Sequence, residues 1–230
     1  MKIKLLADAE TVAVGGARSI AAEARTAVAV RGRFIAAISG GRTPWLMLRA
    51  LADQDVPWTG LHLVQVDERA APANSEERNF KHIRESLLDH VPLRAEQVHA
   101  MPVESPDLEA GAGNYAQTLA RIAGSPAVID LVHLGLGPDG HTASLVPGDP
   151  VLEIMDRDVA VTGVYQSKRR MTLTYPILNR ARQILWLVTG TEKTEMLARL
   201  RNGDTSIPAG RVRRDRATVL ADRAAAGEMR

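Results

Sequence analysis

Short apolar runs alternate with longer Ala- and Arg-rich segments along most of this 230-residue chain. The apolar runs predict strands at 33–39, 61–66, 128–136, 158–164, 183–189 and 217–222. The segments between them have helical periodicity and predict helices at 8–31, 43–54, 74–90, 107–123 and 191–202. Because strands separated by helices pair in parallel, the expected fold class is α/β, a mostly parallel sheet flanked by helices on both faces.

The length and composition favour one ordinary globular domain. The chain has 45% apolar and 24% charged residues, and no long linker, repeat or low-complexity segment divides it. We therefore expect a single α/β domain over 1–230. The absence of cysteine excludes disulfides, thiolate metal sites and cysteine nucleophiles.

The charge pattern points to a small anionic ligand. The formal net charge is only +2, although the chain contains 24 arginines and five lysines. Aromatic residues are scarce at 3%, so no stacking platform for single-stranded nucleic acid is expected. No apolar run reaches the roughly 18 residues that span a bilayer, and the N-terminal run is too short for a signal peptide. We expect a cytoplasmic protein, a monomer or small homo-oligomer, with no nucleic-acid or membrane partner.

Three polar motifs each follow directly on a predicted strand. They are SGGRTP at 39–44, DER at 67–69 and GLGPDGHTAS at 135–144. In open parallel sheets the ligand lies beyond the carboxyl ends of the strands, where such loops gather. The three motifs are therefore expected to form one site.

The SGGRTP motif has the features of an anion site at the start of a helix. Gly40 and Gly41 allow close approach of the backbone to a ligand, and the following helix offers free N–H groups. Ser39, Arg42 and Thr43 could assist in binding a phosphate. The motif is not a P-loop, because the lysine and its spacing are missing. A tight turn that binds nothing remains an equal alternative.

The DER motif places three charges at a strand end, which is usually a solvated terminus. In the functional interpretation Arg69 contacts an anion or a carbonyl, and Asp67 orients a neighbour by hydrogen bonding. Asn74 or Ser75 could cap the helix that follows.

The third motif has the G-x-G-x-x-G spacing of dinucleotide sites in Gly135, Gly137 and Gly140. A dinucleotide site also needs a long helix next and an acidic residue about 20 positions on. Here Pro147 and Pro150 interrupt any such helix, and the next predicted strand ends without an acidic residue. Dinucleotide binding is therefore not expected.

The same loop presents His141 just beyond a strand. An imidazole, whose ordinary pKa is about 6.5, can accept a proton at neutral pH and return it later. The alternative is a histidine that caps a short helix. The chain has no H-x-x-x-H or H-E-x-x-H pattern, so no metal site is expected. Ser39 or Ser144 could act as a nucleophile beside His141, but no G-x-S-x-G elbow is present.

A last cluster of cations lies towards the C-terminus. Lys168, Arg169 and Arg170 precede a Thr-rich apolar stretch, and Lys193 lies near the start of a helix. Because a cation at a helix start opposes the helix dipole, a nearby anion would favour Lys193 there. Plain surface charge is the alternative for each of them, and the one we favour for Lys168 and Arg169.

Together the motifs resemble the 6-phosphogluconolactonase family from about Ile35 to Lys193, most specifically in PDGHTASL. The resemblance implies a Rossmann-like fold without dinucleotide or other cofactor. It implies hydrolysis of a small sugar-phosphate lactone, 6-phospho-D-glucono-1,5-lactone, in the oxidative pentose phosphate pathway. The sequence departs from the family in SLVPG and NSEERNF.

The resemblance also implies residue roles. His141 would be the general base, and Asp67 and Arg69 an active-site charge pair. Arg69 or backbone N–H groups of the loop at 135–140 could stabilise the oxyanion. The residues implied to bind substrate are Ser39, Gly40, Gly41, Arg42, Thr43, Gly137, Arg170 and Lys193.

Two alternatives remain open. One is a related glucosamine-6-phosphate deaminase or isomerase, although Thr142, Ala143, Ser144 and Leu145 differ from that family's continuation after the histidine. The other is a sugar-phosphate sensor that has kept the pocket and lost the chemistry.

Overall fold

The chain folds around a central sheet in which every strand runs parallel to its neighbours. A computed structural model describes residues 1–227. The strands in this range are β1 (Lys2–Leu6), β2 (Phe34–Ile38), β3 (Leu61–Gln65), β4 (Asp67–Arg69), β5 (Val98–His99), β6 (Leu131–Gly135), β7 (Val159–Val161), β8 (Arg170–Leu173), β9 (Gln183–Val188) and β10 (Ala217–Asp222). Seven of them form the main sheet in the order β1-β10-β9-β6-β2-β3-β5. The predicted α/β class with a mostly parallel sheet is confirmed.

Helices cover both faces of this sheet. They are α1 (Ala9–Arg31), α2 (Arg42–Ala52), α3 (Asn79–Ser86), α4 (Leu108–Ala123), α5 (Tyr175–Arg180), α6 (Thr194–Asn202) and α7 (Arg223–Ala226). Side chains of β2 alternate between two cores, so that Phe34 and Ile38 join the core with α1 and α2, whereas Ile35 joins the core with α4. No helix within residues 1–227 has the length and apolar character needed to cross a membrane.

The predicted strand at 158–164 is present as β7, and it lies outside the parallel sheet. β4, β8 and β7 form a separate three-stranded antiparallel sheet. Tyr165 and Lys168 exchange backbone hydrogen bonds of 2.9 and 3.2 Å and thereby close a two-residue hairpin between β7 and β8. Such a short connection permits only antiparallel pairing.

The predicted helix at 74–90 is shorter than expected, and neither Asn74 nor Ser75 caps it. The helix, α3, begins only at Asn79. The side chain of Glu68 in β4 instead accepts hydrogen bonds of 2.8 Å from the backbone N–H groups of the first two residues of α3. A carboxylate from a neighbouring strand therefore takes the place of a local capping residue.

Glu68 is a buried junction between the two sheets and α3. Its side chain has no exposed surface and lies 3.2 Å from the guanidinium of Arg78. It also accepts hydrogen bonds from the Gln65 side chain at 2.9 Å and from the Arg69 backbone N–H at 2.8 Å. These contacts fix β4 against the end of β3 and the start of α3.

Two histidines are held neutral by the fold. His133 in β6 is fully buried, and this burial lowers its pKa to about 3. Burial and the neighbouring His62 lower the pKa of His99 in β5 to about 4. The rings of His62 and His99 stack, with Nδ1 of the first 3.2 Å from Nε2 of the second.

We expect the free energy of unfolding to fall as the pH is lowered from about 6.5 towards 4. Over this range the unfolded chain binds protons on histidine (ordinary pKa about 6.5), whereas the folded chain keeps His99 and His133 neutral. His133 alone lowers the free energy of unfolding by up to about 1.4 kcal/mol for each unit of falling pH. Urea unfolding at a series of pH values between 7 and 4.5 measures this slope.

His99→Asn should make this slope shallower, because the substitution removes one of the two groups from both states. His90→Asn changes an exposed histidine and serves as the control. Equal slopes for the wild type and His99→Asn would contradict the assignment of His99.

Candidate active site

A cleft of about 670 Å³ lies beyond the carboxyl ends of the parallel strands. The three polar motifs that were expected to converge all line it. It brings together every residue that the sequence indicated for the site, namely Ser39, Gly40, Gly41, Arg42, Thr43, Asp67, Arg69, Gly137, His141, Arg170 and Lys193.

The imidazole of His141 is oriented by Asp139. Its Nδ1 lies 2.5 Å from Oδ1 of Asp139, and the His141 backbone N–H donates to the same oxygen at 3.1 Å. Burial raises the pKa of Asp139, but the charge and hydrogen bonds of His141 outweigh burial and hold that pKa below its ordinary value. An ionised carboxylate only accepts hydrogen bonds, so Nδ1 carries a proton, and in the neutral imidazole the free lone pair lies on Nε2. The side chain keeps 23% of its surface exposed, which leaves it open to water.

The ring of His141 lies directly against Gly137. A Cβ atom at Gly137 would lie 2.1 Å from Nδ1 of His141, so only glycine fits here. The Gly137 N–H donates to the His141 carbonyl at 2.8 Å, and the Gly140 N–H donates to the Gly137 carbonyl at 3.1 Å. These two N–H groups are therefore occupied and are not available to bind an oxyanion. Turns rather than a helix follow His141, so it caps no helix.

Residues just after His141 anchor the loop to the rest of the site. The Thr142 hydroxyl donates to the Gly135 carbonyl at 2.9 Å. The Ser144 hydroxyl donates to Oδ2 of Asp67 at 2.6 Å. The HTAS segment thus joins the loop that holds His141 to the DER strand, although the two are far apart in the chain.

The two serines considered as nucleophiles have partners other than His141. Ser144 is fully buried, and its hydroxyl is used by Asp67. The Ser39 hydroxyl lies 3.1 Å from Nδ1 of the buried His133. Among residues 1–227 neither hydroxyl is hydrogen-bonded to His141, so the geometry does not favour a serine nucleophile.

The SGGRTP motif forms one wall of the cleft. A Cβ at Gly40 would lie 1.9 Å from Oδ1 of Asn79, so the absence of a side chain allows α3 to approach. Gly41 has φ of 127° and precedes α2, which has no side-chain cap at its N-terminus. Arg42 and Thr43 are its first two residues. The N-terminal end of α2 therefore faces the cleft without a cap, which favours an anion there.

Two arginines lie directly opposite each other in the antiparallel sheet. Arg69 of β4 is the cross-strand partner of Arg170 of β8, so both side chains lie on one face. Arg170 is only 5% exposed. Burial and the charge of Arg69 lower the pKa of Arg170. Like charges directly opposite destabilise a sheet, and an anion between them would offset this cost.

Lys193 enters the cleft from the segment between β9 and α6. It directly precedes α6, and its Nζ lies 3.9 Å from the carboxylate of Glu192. The turn before it contains Gly190 with φ of 96°, whose N–H donates to Asp222 at 3.1 Å. The cleft therefore contains four cations from separate parts of the chain: Arg42, Arg69, Arg170 and Lys193.

Four lining residues with polar side chains were not indicated by the sequence: Asn79, Thr189, Glu192 and Asp222. Asp222 lies at the carboxyl end of a predicted strand, where polar residues of a parallel sheet gather around a ligand, so the sequence could have indicated it as it did the three motifs. Asn79 carried no such signal, because its position depends on the Glu68 contact at the start of α3. There it accepts from the Arg69 guanidinium and donates to the Asp67 carbonyl at 3.0 Å.

Within residues 1–227 no group of three or more His, Asp or Glu side chains is arranged to hold a metal ion. The cleft is lined by one oriented imidazole, three carboxylates and several cations. This set can move a proton and bind an anion.

Known proteins resemble this chain over nearly its whole length. The family model described as glucosamine-6-phosphate isomerases/6-phosphogluconolactonase matches residues 7–221. A 6-phosphogluconolactonase of Mycobacterium tuberculosis is 36% identical over 99% of this chain and 98% of that protein. A 6-phosphogluconolactonase of Synechocystis sp. is 39% identical over 76% of this chain and 74% of that protein. The crystal structure of a 6-phosphogluconolactonase from Thermotoga maritima has a TM-score of 0.85 at 30% identity, covering 96% of this chain and 98% of that one.

Gly137→Ala should displace the His141 ring, because the added methyl group overlaps Nδ1. We expect loss of the downfield Nδ1 proton signal in the NMR spectrum, with the fold retained. Gly135→Ala is the matched control, since a Cβ there meets nothing within 4 Å. The same Nδ1 signal in Gly137→Ala and the wild type would refute the close contact.

Proposed function

This chain belongs to the family of glucosamine-6-phosphate isomerases and 6-phosphogluconolactonases. We infer that it hydrolyses 6-phospho-D-glucono-1,5-lactone to 6-phospho-D-gluconate, a reaction of the oxidative pentose phosphate pathway and the one for which its 6-phosphogluconolactonase relatives are named. The observation that carries the inference is the composition of the cleft. It places an imidazole with a free Nε2, that of His141, in one cleft with the cross-strand arginines Arg69 and Arg170.

We propose that His141 activates the attacking water. Its Nε2 takes a proton from water while the water oxygen forms a bond to C1 of the lactone. The resulting tetrahedral oxyanion collapses, and the bond between C1 and the ring oxygen breaks. The imidazolium then returns its proton to the departing ring oxygen, so one histidine serves both steps. Asp139 holds the ring in the required tautomer throughout.

Arg69 is the best-placed group for the oxyanion. It lines the cleft, and the N–H groups of Gly137 and Gly140 are already used within their loop. Arg69 is itself held by the Asn79 side chain and the Glu77 carbonyl, so its charge is positioned before the substrate binds. Asp67 balances this charge from the same strand.

The phosphate group would be bound by the cations and the uncapped helix. Arg42, Arg170 and Lys193 line the same cleft as the N-terminal end of α2. Binding at this end would fix the lactone carbonyl near His141, so that affinity for the phosphate supports the chemical step. The remaining SGGRTP residues would form the wall beside the sugar phosphate.

A deaminase or isomerase activity is the alternative within the same family. The contact between Ser144 and Asp67 favours the lactonase, because it joins the two motifs, HTAS and DER, that resemble that branch. Release of ammonia from glucosamine-6-phosphate would reveal the alternative. Tight binding of 6-phosphogluconate without any turnover of the lactone would instead identify a sensor.

We also propose that residues 1–230 act as one domain, as a monomer or small homo-oligomer in the cytoplasm. The pairing of β1 with β10 supports a single domain, because it joins the two ends of the described chain in one sheet.

His141→Ala should lower kcat for freshly generated 6-phosphogluconolactone by on the order of 10²–10⁴, with KM nearly unchanged. The reason is that the variant loses the proton acceptor and keeps the cations. His90→Ala is the control on the surface. A kcat equal to that of the wild type, after subtraction of spontaneous hydrolysis, would remove His141 from the mechanism.

Arg170→Ala and Lys193→Ala should chiefly raise KM, and more for the phosphorylated than for the unphosphorylated lactone. Arg169→Ala is the matched control, because this neighbouring arginine pairs with Glu109 at 3.2 Å and does not line the cleft. Steady-state kinetics with both substrates measures the difference. Equal effects on both lactones would refute the assignment of Arg170 and Lys193 to phosphate binding.

A further inference from the structure

Tyr165 does not line the cleft, yet it contacts both the base and the anion-binding side of the site. Its hydroxyl donates to Oδ2 of Asp139 at 3.3 Å. Its ring meets the ring of His141 edge-on, with 5.9 Å between the centroids. The guanidinium carbon of Arg170 lies 4.9 Å above its face. Tyr165 therefore contacts both the His141 base with its Asp139 partner and the anion-binding Arg170.

The hairpin that carries Tyr165 is held in an unusual conformation. Its two central residues, Gln166 and Ser167, have φ of 51° and 64°. Turns of this type normally contain glycine or asparagine, because other side chains are strained at positive φ. Strained residues persist only where the surroundings fix them. Here Gln166 accepts a hydrogen bond from Arg170 at 2.9 Å, and Lys168 pairs with Glu77 at 3.3 Å.

The two oxygens of Asp139 have separate partners. Oδ1 contacts His141 and Oδ2 contacts Tyr165. Burial and the neighbouring Asp139 raise the pKa of the Tyr165 phenol, so the hydroxyl stays protonated and acts as the donor. The carboxylate plane, and with it the direction of the His141 ring, is therefore set from both sides.

We propose that Tyr165 is a positioning residue for lactone hydrolysis. Its hydroxyl orients Asp139, and through it the His141 base, while its ring face supports the guanidinium of Arg170. This inference rests on the proposed function, because it assigns a role within the same reaction.

Several charged side chains share the cleft with His141. They come from α2, β4, β8, β10 and the segment before α6, and are Arg42, Asp67, Arg69, Arg170, Glu192, Lys193 and Asp222. A substitution at Tyr165 that keeps the ring leaves all of them in place. A change in the pH profile of such a variant therefore reports on the hydroxyl.

Tyr165→Phe tests the hydroxyl alone. We expect kcat to fall about 3- to 10-fold, the change typical of one lost hydrogen bond, with KM within about twofold of the wild type. The acidic limb of the kcat/KM profile should move to higher pH. An Asp139 carboxylate that has lost its phenol donor attracts the imidazolium more strongly and makes His141 harder to deprotonate.

Gln166→Asn is the matched control within the same hairpin. Asparagine tolerates positive φ, but its shorter side chain loses the contact with Arg170. It should raise KM and leave kcat and the acidic limb unchanged. Tyr165→Leu removes both the hydroxyl and the ring, and should show both effects together.

The proposal is overturned if Tyr165→Phe matches the wild type in kcat and in the position of the acidic limb. It is also overturned if Gln166→Asn moves that limb as far as Tyr165→Phe does, since this would indicate a general loosening of the hairpin. A wild-type protein that shows no turnover refutes the proposed function instead. In that case the Nδ1 proton signal of His141 decides whether Tyr165 orients the ring: a shift in Tyr165→Phe supports this role, and no shift refutes it.

Discussion

The buried carboxylate of Glu68 is the interaction on which the geometry of the cleft depends. Residues in a strand alternate between faces, so Glu68 points away from the cleft while Asp67 and Arg69 point into it. Its contacts with Arg78 and with the start of α3 fix the strand in place. Removal of one partner of a buried ion pair is strongly destabilising, although an intact pair contributes little net stability. Glu68, the middle residue of DER, therefore holds the strand that presents Asp67 and Arg69 to the cleft.

Much of the fold follows from patterns of single segments. The five predicted strands of the main sheet are short, largely buried apolar runs, and their length together with the helical segments around them identifies such runs as strands. The second sheet was missed because β4 and β8 are short, and β4 consists only of charged residues. The start of α3 was misplaced because its cap comes from Glu68, which is distant from the local capping pattern. Contacts between remote segments are not visible in local sequence.

The site was more predictable than the second sheet that supports part of it. Every residue that the sequence assigned to catalysis or substrate binding lines one cleft, because the carboxyl ends of parallel strands meet at one edge. The residues that were missed reach the cleft through tertiary contacts, as Asn79 does, or act on a lining residue from outside, as Tyr165 does on Arg170. Gly137 shows the same difference between local sequence and tertiary contact. The sequence predicts a glycine-rich loop that contains Gly137, but only the structure shows that the His141 ring occupies the space of its missing side chain.

The cross-strand pair of Arg69 and Arg170 links the stability of the fold to the anions in the surrounding buffer. A multivalent anion that bridges the two guanidinium groups binds only the folded chain, and so it stabilises that state by mass action. Phosphate or sulfate in a buffer would then raise the melting temperature and, at the same time, compete with the substrate. The buffer that best preserves this protein during purification is thus a poor medium in which to measure its turnover.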